Sequence, residues 1–205
     1  MLARTLTVRG QRDRLDDGLA AVTGEIPGLR DQAGCTGVAV LVDREAGGVI
    51  LTTGWADQAA MRATAPTLGP LRDRVAAAFG ARPEVNAWEI ALLHRVAATP
   101  DGARARVTWT RADPDMLAQQ IDFVRGGIVP EIERLPGFCA ASALVDRRTG
   151  DGVLTVVYES ADALAASRRA AIGLREDAVR RMSARLVDVA ELEVLLADLR
   201  VPETV

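Results

Sequence analysis

The sequence predicts an α+β fold in which two tandem βαββαβ repeats lie in one chain of 205 residues. Two observations support this prediction. At a shift of 103 positions, residues 27–93 align without a gap with residues 130–196, and the tetrapeptide LVDR recurs at Leu41–Arg44 and Leu144–Arg147. Both halves also show the same order of strand and helix patterns.

Each repeat opens with a short strand, TLTVR or RVTWTR, followed by an amphipathic helix. Pro27 and Pro130 fall late in these helices and should kink or restart them. Upstream of the prolines the halves align at a shift of 102, which predicts one inserted residue near Gly127. The predicted division is repeat 1 over 1–96, a linker of small, turn-forming residues over 97–105, and repeat 2 over 106–205.

Two strands come next in each repeat, VAVLV and VILTTGW or AASALV and VLTVVY, and Asp57 or Ser160 caps a second helix. A last strand, AWEIALLHRV or AELEVLLADL, completes the ferredoxin-like order. Such a unit covers only one sheet face with helices, so its bare face must be buried elsewhere. We therefore expect the two repeats to pack sheet to sheet within one chain.

The composition excludes several classes of function. The net charge is −3 without a basic stripe, which argues against nucleic acid, and no apolar run approaches a membrane span. The chain contains no lysine, which removes a P-loop lysine and a Schiff base, and its single histidine, His94, excludes multi-histidine zinc sites. Cys35 and Cys139 fit buried, reduced thiols. We expect a cytoplasmic protein with no metal and no cofactor.

Aromatic and polar residues of the strands are the first site candidates. Trp55 and Tyr158 end equivalent strands and could wall a pocket; the alternative is packing at a strand end. Asn86, Trp88 and His94 are separated by even numbers, which predicts one shared strand face. That cluster could be a site or the seam between the halves, and His94 could be a general base or a structural histidine.

Three further residues are candidates for substrate binding. Trp109 lies where the first half has Leu6 or Thr7, and it could fill a pocket or the core. Arg72 and Arg175 recur within the second helices. A guanidinium suits an anionic group of a substrate, but neighbouring acidic residues also allow local ion pairs.

The residues entering the hairpins, PGLRDQAGC and PEIERLPGF, and the segments TTGWADQAAMRA and VVYESADALAAS carry a family resemblance. Each half resembles the antibiotic biosynthesis monooxygenase (ABM) family, and the resemblance covers nearly the whole chain twice. It implies an intramolecular dimeric α/β barrel with a ligand pocket between sheet and helices in each half. Trp55 matches the strand-end tryptophan of the family, where the second half has Tyr158.

The resemblance also implies an activity. Cofactor-independent members oxidise a small aromatic, quinol-type compound that reacts with oxygen through its own carbanion, and we expect such a monooxygenase here. The chain could also assemble into a homo-oligomer. The alternative is a non-catalytic binding or structural barrel. Haem binding through His94 is a weaker alternative, because the first strands lack the asparagine of the haem-degrading members.

The repeated LVDR is expected to be structural. Its aspartate can accept hydrogen bonds from the backbone amides of the following turn, and its arginine can cover the strand edge or pair with a carboxylate.

Overall fold

The computed structural model describes residues 1–199, and it shows the predicted order of elements twice. The first half contains, in chain order, β1 (Leu2–Arg9), α1 (Leu15–Arg30), β2 (Cys35–Asp43), β3 (Gly48–Trp55), α2 (Gln58–Ala63), α3 (Ala65–Phe79) and β4 (Glu84–Arg95). The second half contains β5 (Arg104–Arg111), α4 (Leu117–Phe123), a π-helical turn (Val124–Ile128), α5 (Val129–Glu133), β6 (Phe138–Asp146), β7 (Asp151–Tyr158), α6 (Ala161–Arg181) and β8 (Arg185–Leu199).

The strands confirm the predicted fold class, an α+β closed antiparallel barrel with strand order β1-β3-β2-β8-β5-β7-β6-β4. By compactness the described chain divides into two units. Within residues 1–199, unit 1 comprises Met1–Trp88 and residues 193–199, and unit 2 comprises Glu89–Leu192. The last strands β4 and β8 therefore each contribute to both units. These units are not the sequence repeats, and the division into repeats of 1–96 and 106–205 stays a prediction.

Each unit has its own hydrophobic core between its sheet and its helices. In unit 1, Val22 of α1 and Val75 and Phe79 of α3 are fully buried against β1, β2 and β3. In unit 2, Ile132 of α5 and Leu164 of α6 pack with strand residues in the same way. The helical spacing of these apolar residues is what makes the helices amphipathic and directs one face of each to the sheet.

The first helices of the two halves differ where the sequence predicts an insertion. The π-helical turn Val124–Ile128 contains Gly127 and accommodates one extra residue, so this prediction is confirmed. The chain restarts as α5 with Pro130 in its first turn, as expected. Pro27 does not restart the helix, because α1 continues through it to Arg30, and a kink at Pro27 stays a prediction. This proline lies in the last turn, where its missing amide donor removes only one helical hydrogen bond.

The two LVDR turns have the predicted structural role. Asp43 Oδ1 accepts hydrogen bonds from the amides of Glu45 and Ala46, and Asp146 Oδ1 accepts one from Arg148. The two arginines of the motif form bidentate ion pairs with glutamates of the last strands, Arg44 with Glu193 at 2.8 and 2.9 Å and Arg147 with Glu89 at 2.6 and 2.7 Å.

Strand pairing corrects the alignment of the last strands. Val42 pairs with Glu193 of β8, whereas its counterpart Val145 pairs with Glu89 of β4. The last strands therefore correspond at a shift of 104, and the gapless alignment at 103 is wrong over this segment. One residue is inserted between the end of α6 and the paired part of β8, relative to the first half.

Candidate functional site

Unit 1 places an arginine of its first strand beside the tryptophan that ends β3. The guanidinium carbon of Arg4 lies 5.9 Å from the centre of the Trp55 ring, a distance that permits a cation–π interaction. Arg4 Nη1 donates to Thr64 Oγ1 at 2.6 Å, and Nη2 donates to the carbonyl of Met61 at 2.7 Å. Trp55 is fully buried, and its Nε1 donates to Thr53 Oγ1 at 3.0 Å.

Unit 2 repeats this arrangement with equivalent residues. Arg106 lies 5.5 Å from the centre of the Tyr158 ring and donates from Nη1 to Ser167 Oγ at 2.9 Å. Its Nη2 donates to the carbonyl of Leu164 at 3.1 Å. Arg106 corresponds to Arg4 at the shift of 102. Its partners correspond at the shift of 103: Tyr158 to Trp55, Ser167 to Thr64 and Leu164 to Met61. Duplication has thus preserved an arginine held by an aromatic ring, a hydroxyl group and a helix carbonyl.

The units differ in the carboxylate that this arginine meets. In unit 2, Glu191 Oε1 accepts from Arg106 Nε at 3.3 Å and from Nη2 at 2.9 Å, while Arg168 donates to both oxygens of the same carboxylate. At the shift of 104, Glu191 corresponds to Ala87. Among residues 1–199, no carboxylate forms an ion pair with Arg4. Burial lowers the pKa of Arg4 from its ordinary value.

Arg4 lines a cleft of about 320 Å³ in unit 1, which we call the Arg4 cleft. The cleft lies between α1 and the α2–α3 segment, and its other walls are mainly apolar or hydroxyl side chains and glycine: Gly28, Leu29, Gln32, Thr64, Pro66, Thr67, Leu68, Pro70 and Leu71. Two further charged residues, Glu25 and Arg74, complete the lining and pair with each other at 2.7 Å. The volume is at the lower end of the range for small-molecule sites.

Unit 2 has a smaller, apolar cleft in a different place. Its volume is about 60 Å³, and it lies between α4 and the sheet, with Leu117, Ile121 and Met182 among its lining residues. Gln120 donates to the carbonyl of Met182 at 2.8 Å and so has a partner already. This volume holds a few waters or a small group.

The structure shows where each predicted aromatic residue lies. Trp55 and Tyr158 are 0 % and 1 % exposed, and each lies behind an arginine rather than on an open wall. Trp88 is half-buried and donates from Nε1 to Thr5 Oγ1 at 2.8 Å. Trp109 pairs with Val153, as Thr7 pairs with Ile50, so Thr7 rather than Leu6 is its counterpart.

The strand face predicted for Asn86, Trp88 and His94 does not continue without a break to His94. A register shift between Ile90 and Leu92 interrupts the alternation of strand faces on which that prediction rested. Asn86 donates to Glu84 Oε1 at 2.8 Å, and His94 belongs to unit 2.

His94 has structural contacts. Its Nε2 lies 3.2 Å from Glu133 Oε2, its ring stacks on Phe138 with 6.0 Å between centres, and its Nδ1 is buried without a hydrogen-bond partner among the described residues. His94 corresponds to Asp198 at the shift of 104, and Glu133 corresponds to Arg30 at the shift of 103. This pair is therefore the counterpart of the ion pair between Arg30 and Asp198 in unit 1. Among the described residues, His94 is not part of the lining of either cleft.

The predicted arginines are placed differently from Arg4 and Arg106. Arg72 is exposed on α3 and does not line the Arg4 cleft. Arg175 is half-buried on α6, and its Nε has no hydrogen-bond partner among the described residues. Their roles in substrate binding stay predictions that the geometry does not favour over those of Arg4.

Sequence reasoning missed Arg4, Arg106 and Glu191. The signal was available, because the shift of 102 that aligns the first strands pairs Arg4 with Arg106. A recurring arginine on a strand that should face a core is more informative than arginines recurring on an exposed helix face, since burying a guanidinium requires partners.

Among residues 1–199, no three His, Cys, Asp or Glu side chains cluster closely enough to hold a metal ion. Cys35 and Cys139 are both free thiols, and burial, followed by the charge of Glu159, raises the pKa of Cys139. Within the same range no helix has the length and apolar character to cross a bilayer.

The ion pairs of Glu191 predict acid sensitivity. Hydrogen bonds from Arg168 and then Arg106 hold the pKa of Glu191 below its ordinary value of about 4.3, although burial opposes them. A carboxyl group with a lowered pKa contributes stability above its unfolded pKa, and that contribution is lost as the pH falls through its folded pKa. The free energy of unfolding, measured with urea at about pH 7 and pH 3, should therefore fall further in the wild type than in Glu191→Gln. Equal losses in both proteins would contradict this role.

The fold is a dimeric α/β barrel contained in one chain. It is shared by an anthrone oxidase-like protein (TM-score 0.72, 14% identity, covering 95% of this chain and 91% of that one). It is also shared by a monooxygenase-like protein from Listeria innocua (TM-score 0.58, 5% identity, 96% of both chains). A major regulator of staphylococcal pathogenesis has the same fold (TM-score 0.56, 9% identity, 94% and 98%).

Sequence comparison shows the family. The chain is 39% identical over 204 residues to the uncharacterized protein Rv2557 of Mycobacterium tuberculosis, covering 99% of this chain and 91% of that protein. It is 42% identical over 205 residues to the uncharacterized protein Rv2558 of the same organism, covering 99% and 87%. The chain belongs to the family of these two proteins. No family model matches it.

Proposed function

We propose that the protein is an ABM-like monooxygenase of a small aromatic, quinol-type compound and that the Arg4 cleft is its substrate site. The observation that carries this proposal is a cleft of about 320 Å³ with largely apolar walls, in which Arg4 lies beside the buried ring of Trp55 and the second cation, Arg74, is paired with Glu25. The fold that the chain shares with an anthrone oxidase-like protein supports the same chemistry.

The residues of the cleft suit a reaction driven by the substrate itself. An electron-rich ring that has lost a proton transfers electrons to oxygen; one oxygen atom enters as a carbonyl group and replaces two hydrogens, and the other leaves as water. This balance needs no added reductant. Arg4 would stabilise the deprotonated substrate, and the walls formed by Leu29, Leu68 and Leu71 would keep water away from it.

The test is oxygen consumption by the purified protein with a panel of hydroquinones and anthrones, with the products identified by mass. We expect uptake of one oxygen molecule per substrate and a gain of one oxygen atom with loss of two hydrogens. Arg4→Gln should lower the rate at least tenfold, because one hydrogen-bond donor to a developing oxyanion contributes about that much or more. Arg82→Gln, which changes an exposed arginine between α3 and β4 that does not line the cleft, is the matched control and should leave the rate unchanged. Rates no higher than the protein-free oxidation for the whole panel would refute the proposal.

The second candidate is a non-catalytic binding protein. It is favoured by the charges of the Arg4 cleft, where the single carboxylate, Glu25, is already paired with Arg74 and no histidine is present among the lining residues. Such a site binds an acidic ligand but has no unpaired base to remove a proton. Saturable binding of panel compounds without oxygen uptake would support this alternative.

A further inference from the structure

We propose that the Arg4 cleft binds a small organic carboxylate and that the bound carboxylate pairs with Arg4, as Glu191 pairs with Arg106 in unit 2. The inference rests on the proposed function only in treating this cleft as the ligand site. It adds the chemical class of the ligand, an apolar body that bears one carboxylate.

The duplicated arginines supply the first argument. Arg4 and Arg106 share three partners at equivalent positions: an aromatic ring, a hydroxyl group at the end of the hydrogen bond from Nη1, and a helix carbonyl bonded to Nη2. The guanidinium groups are therefore held alike. In unit 2 the edge formed by Nε and Nη2 also donates to the Glu191 carboxylate. Among residues 1–199 the Nε of Arg4 forms no hydrogen bond, and Ala87 stands at the position equivalent to Glu191.

The cost of burying a charge supplies the second argument. A guanidinium group has five N–H donors, and it is disfavoured in a desolvated setting unless an anion or several acceptors satisfy it. Arg106 meets this condition inside the chain, since Glu191 and three further groups accept from it. The half-buried side chain of Arg4 has two acceptors among residues 1–199, and the cleft that it lines gives a ligand access to it. A carboxylate matches the planar edge of an arginine with two parallel hydrogen bonds.

The remaining charges of the cleft define which anion fits. Arg4 and Arg74 are positive and Glu25 is negative, so the lining carries a net charge of +1. Arg74 is occupied by Glu25 at 2.7 Å, and Glu25 would repel a second negative charge. The lining therefore suits a monoanion better than a phosphate dianion. Leu29, Leu68 and Leu71 suit an apolar body for that anion.

The test compares 2-naphthoate with its neutral isostere 2-naphthamide by isothermal titration calorimetry on the full chain. The carboxylate should bind at least tenfold more tightly than the amide. Arg4→Gln should weaken binding of the carboxylate on the order of thirtyfold, as expected when one member of a hydrogen-bonded charge pair is removed. Failure of 2-naphthoate to bind, or equal affinity for the amide, would overturn the proposal.

A second pair of variants avoids any change to Arg4 itself. Ala87→Glu places a carboxylate where unit 2 has Glu191, so it should pair with Arg4 and weaken binding of 2-naphthoate at least tenfold. Ala87→Gln has nearly the same size without the charge, and it should bind 2-naphthoate like the wild type. Unchanged affinity in Ala87→Glu would overturn the proposed correspondence.

The two proposals fail in different ways. Binding of 2-naphthoate that depends on Arg4, without oxygen uptake by any member of the quinol panel, keeps the carboxylate site and refutes the monooxygenase. Oxygen uptake that is equally fast for Ala87→Glu and the wild type, together with absent binding of 2-naphthoate, refutes the carboxylate site and keeps the monooxygenase.

Discussion

Glu191→Gln should lower the free energy of unfolding by about 2–3 kcal/mol near neutral pH. The substitution keeps the shape of the side chain but removes the carboxylate charge that pairs with Arg106, whose side chain is 6 % exposed. Removing one partner of a fully buried pair typically costs 3–5 kcal/mol. The smaller figure of about 2–3 applies because the Glu191 side chain is 26 % exposed and water screens it in part. Urea denaturation measures the change.

The matched control is Glu89→Gln in the same unit. Glu89 also forms a bidentate pair with an arginine, but the side chain of its partner Arg147 is 53 % exposed. An exposed pair of this kind contributes about 0–1 kcal/mol. Similar losses for the two variants would show that Arg106 is not a buried cation that depends on Glu191.

Trp55→Ala should cost about 3–5 kcal/mol, the range for truncating a large aromatic side chain in a core. Trp55 has no exposed surface, and its loss would leave a cavity behind Arg4 and free the hydroxyl group of Thr53 from its hydrogen bond. Trp88→Ala is the matched control, because Trp88 is only half-buried and also forms one hydrogen bond to a threonine. Its substitution should cost clearly less. A smaller loss for Trp55→Ala than for Trp88→Ala would contradict the packing described above.

Trp55→Phe separates packing from a role in the site. It retains an aromatic face for Arg4 and most of the buried volume, so we expect a folded protein in which the affinity of the Arg4 cleft for 2-naphthoate changes less than fivefold, the range of a weak cation–π contribution. Loss of binding as large as that in Arg4→Gln would instead make Trp55 part of the binding surface.

The fold could be predicted from the sequence because duplication doubles every pattern. LVDR appears twice at strand ends, Asp57 and Ser160 cap equivalent helices, and the inserted residue near Gly127 corresponds to a π-helical turn. Each of these depends on residues close together in the chain. The alignment was wrong only over the last strands, where their register depends on pairing with β2 and β6 and cannot be counted along the chain.

The site was harder to predict because it depends on contacts between distant positions. Arg4 lies 60 residues from Thr64, and Arg106 lies 85 residues from Glu191. A bulge in β4 also breaks the alternation that seemed to join Trp88 and His94. Comparison of the two halves nevertheless identifies positions where they differ. Ala87 and Glu191 form such a position once the register of the last strands, β4 and β8, is known.

The central claim is that equivalent arginines differ in function, Arg106 being satisfied within the chain and Arg4 by a ligand. Proton–nitrogen NMR of the arginine Nε–H groups tests it most directly, with Arg4→Gln and Arg106→Gln used to assign the two resonances. Addition of 2-naphthoate should shift the Arg4 Nε–H resonance in a saturable way and leave that of Arg106 in place. A shift of the Arg106 resonance alone, or of neither, would contradict the claim.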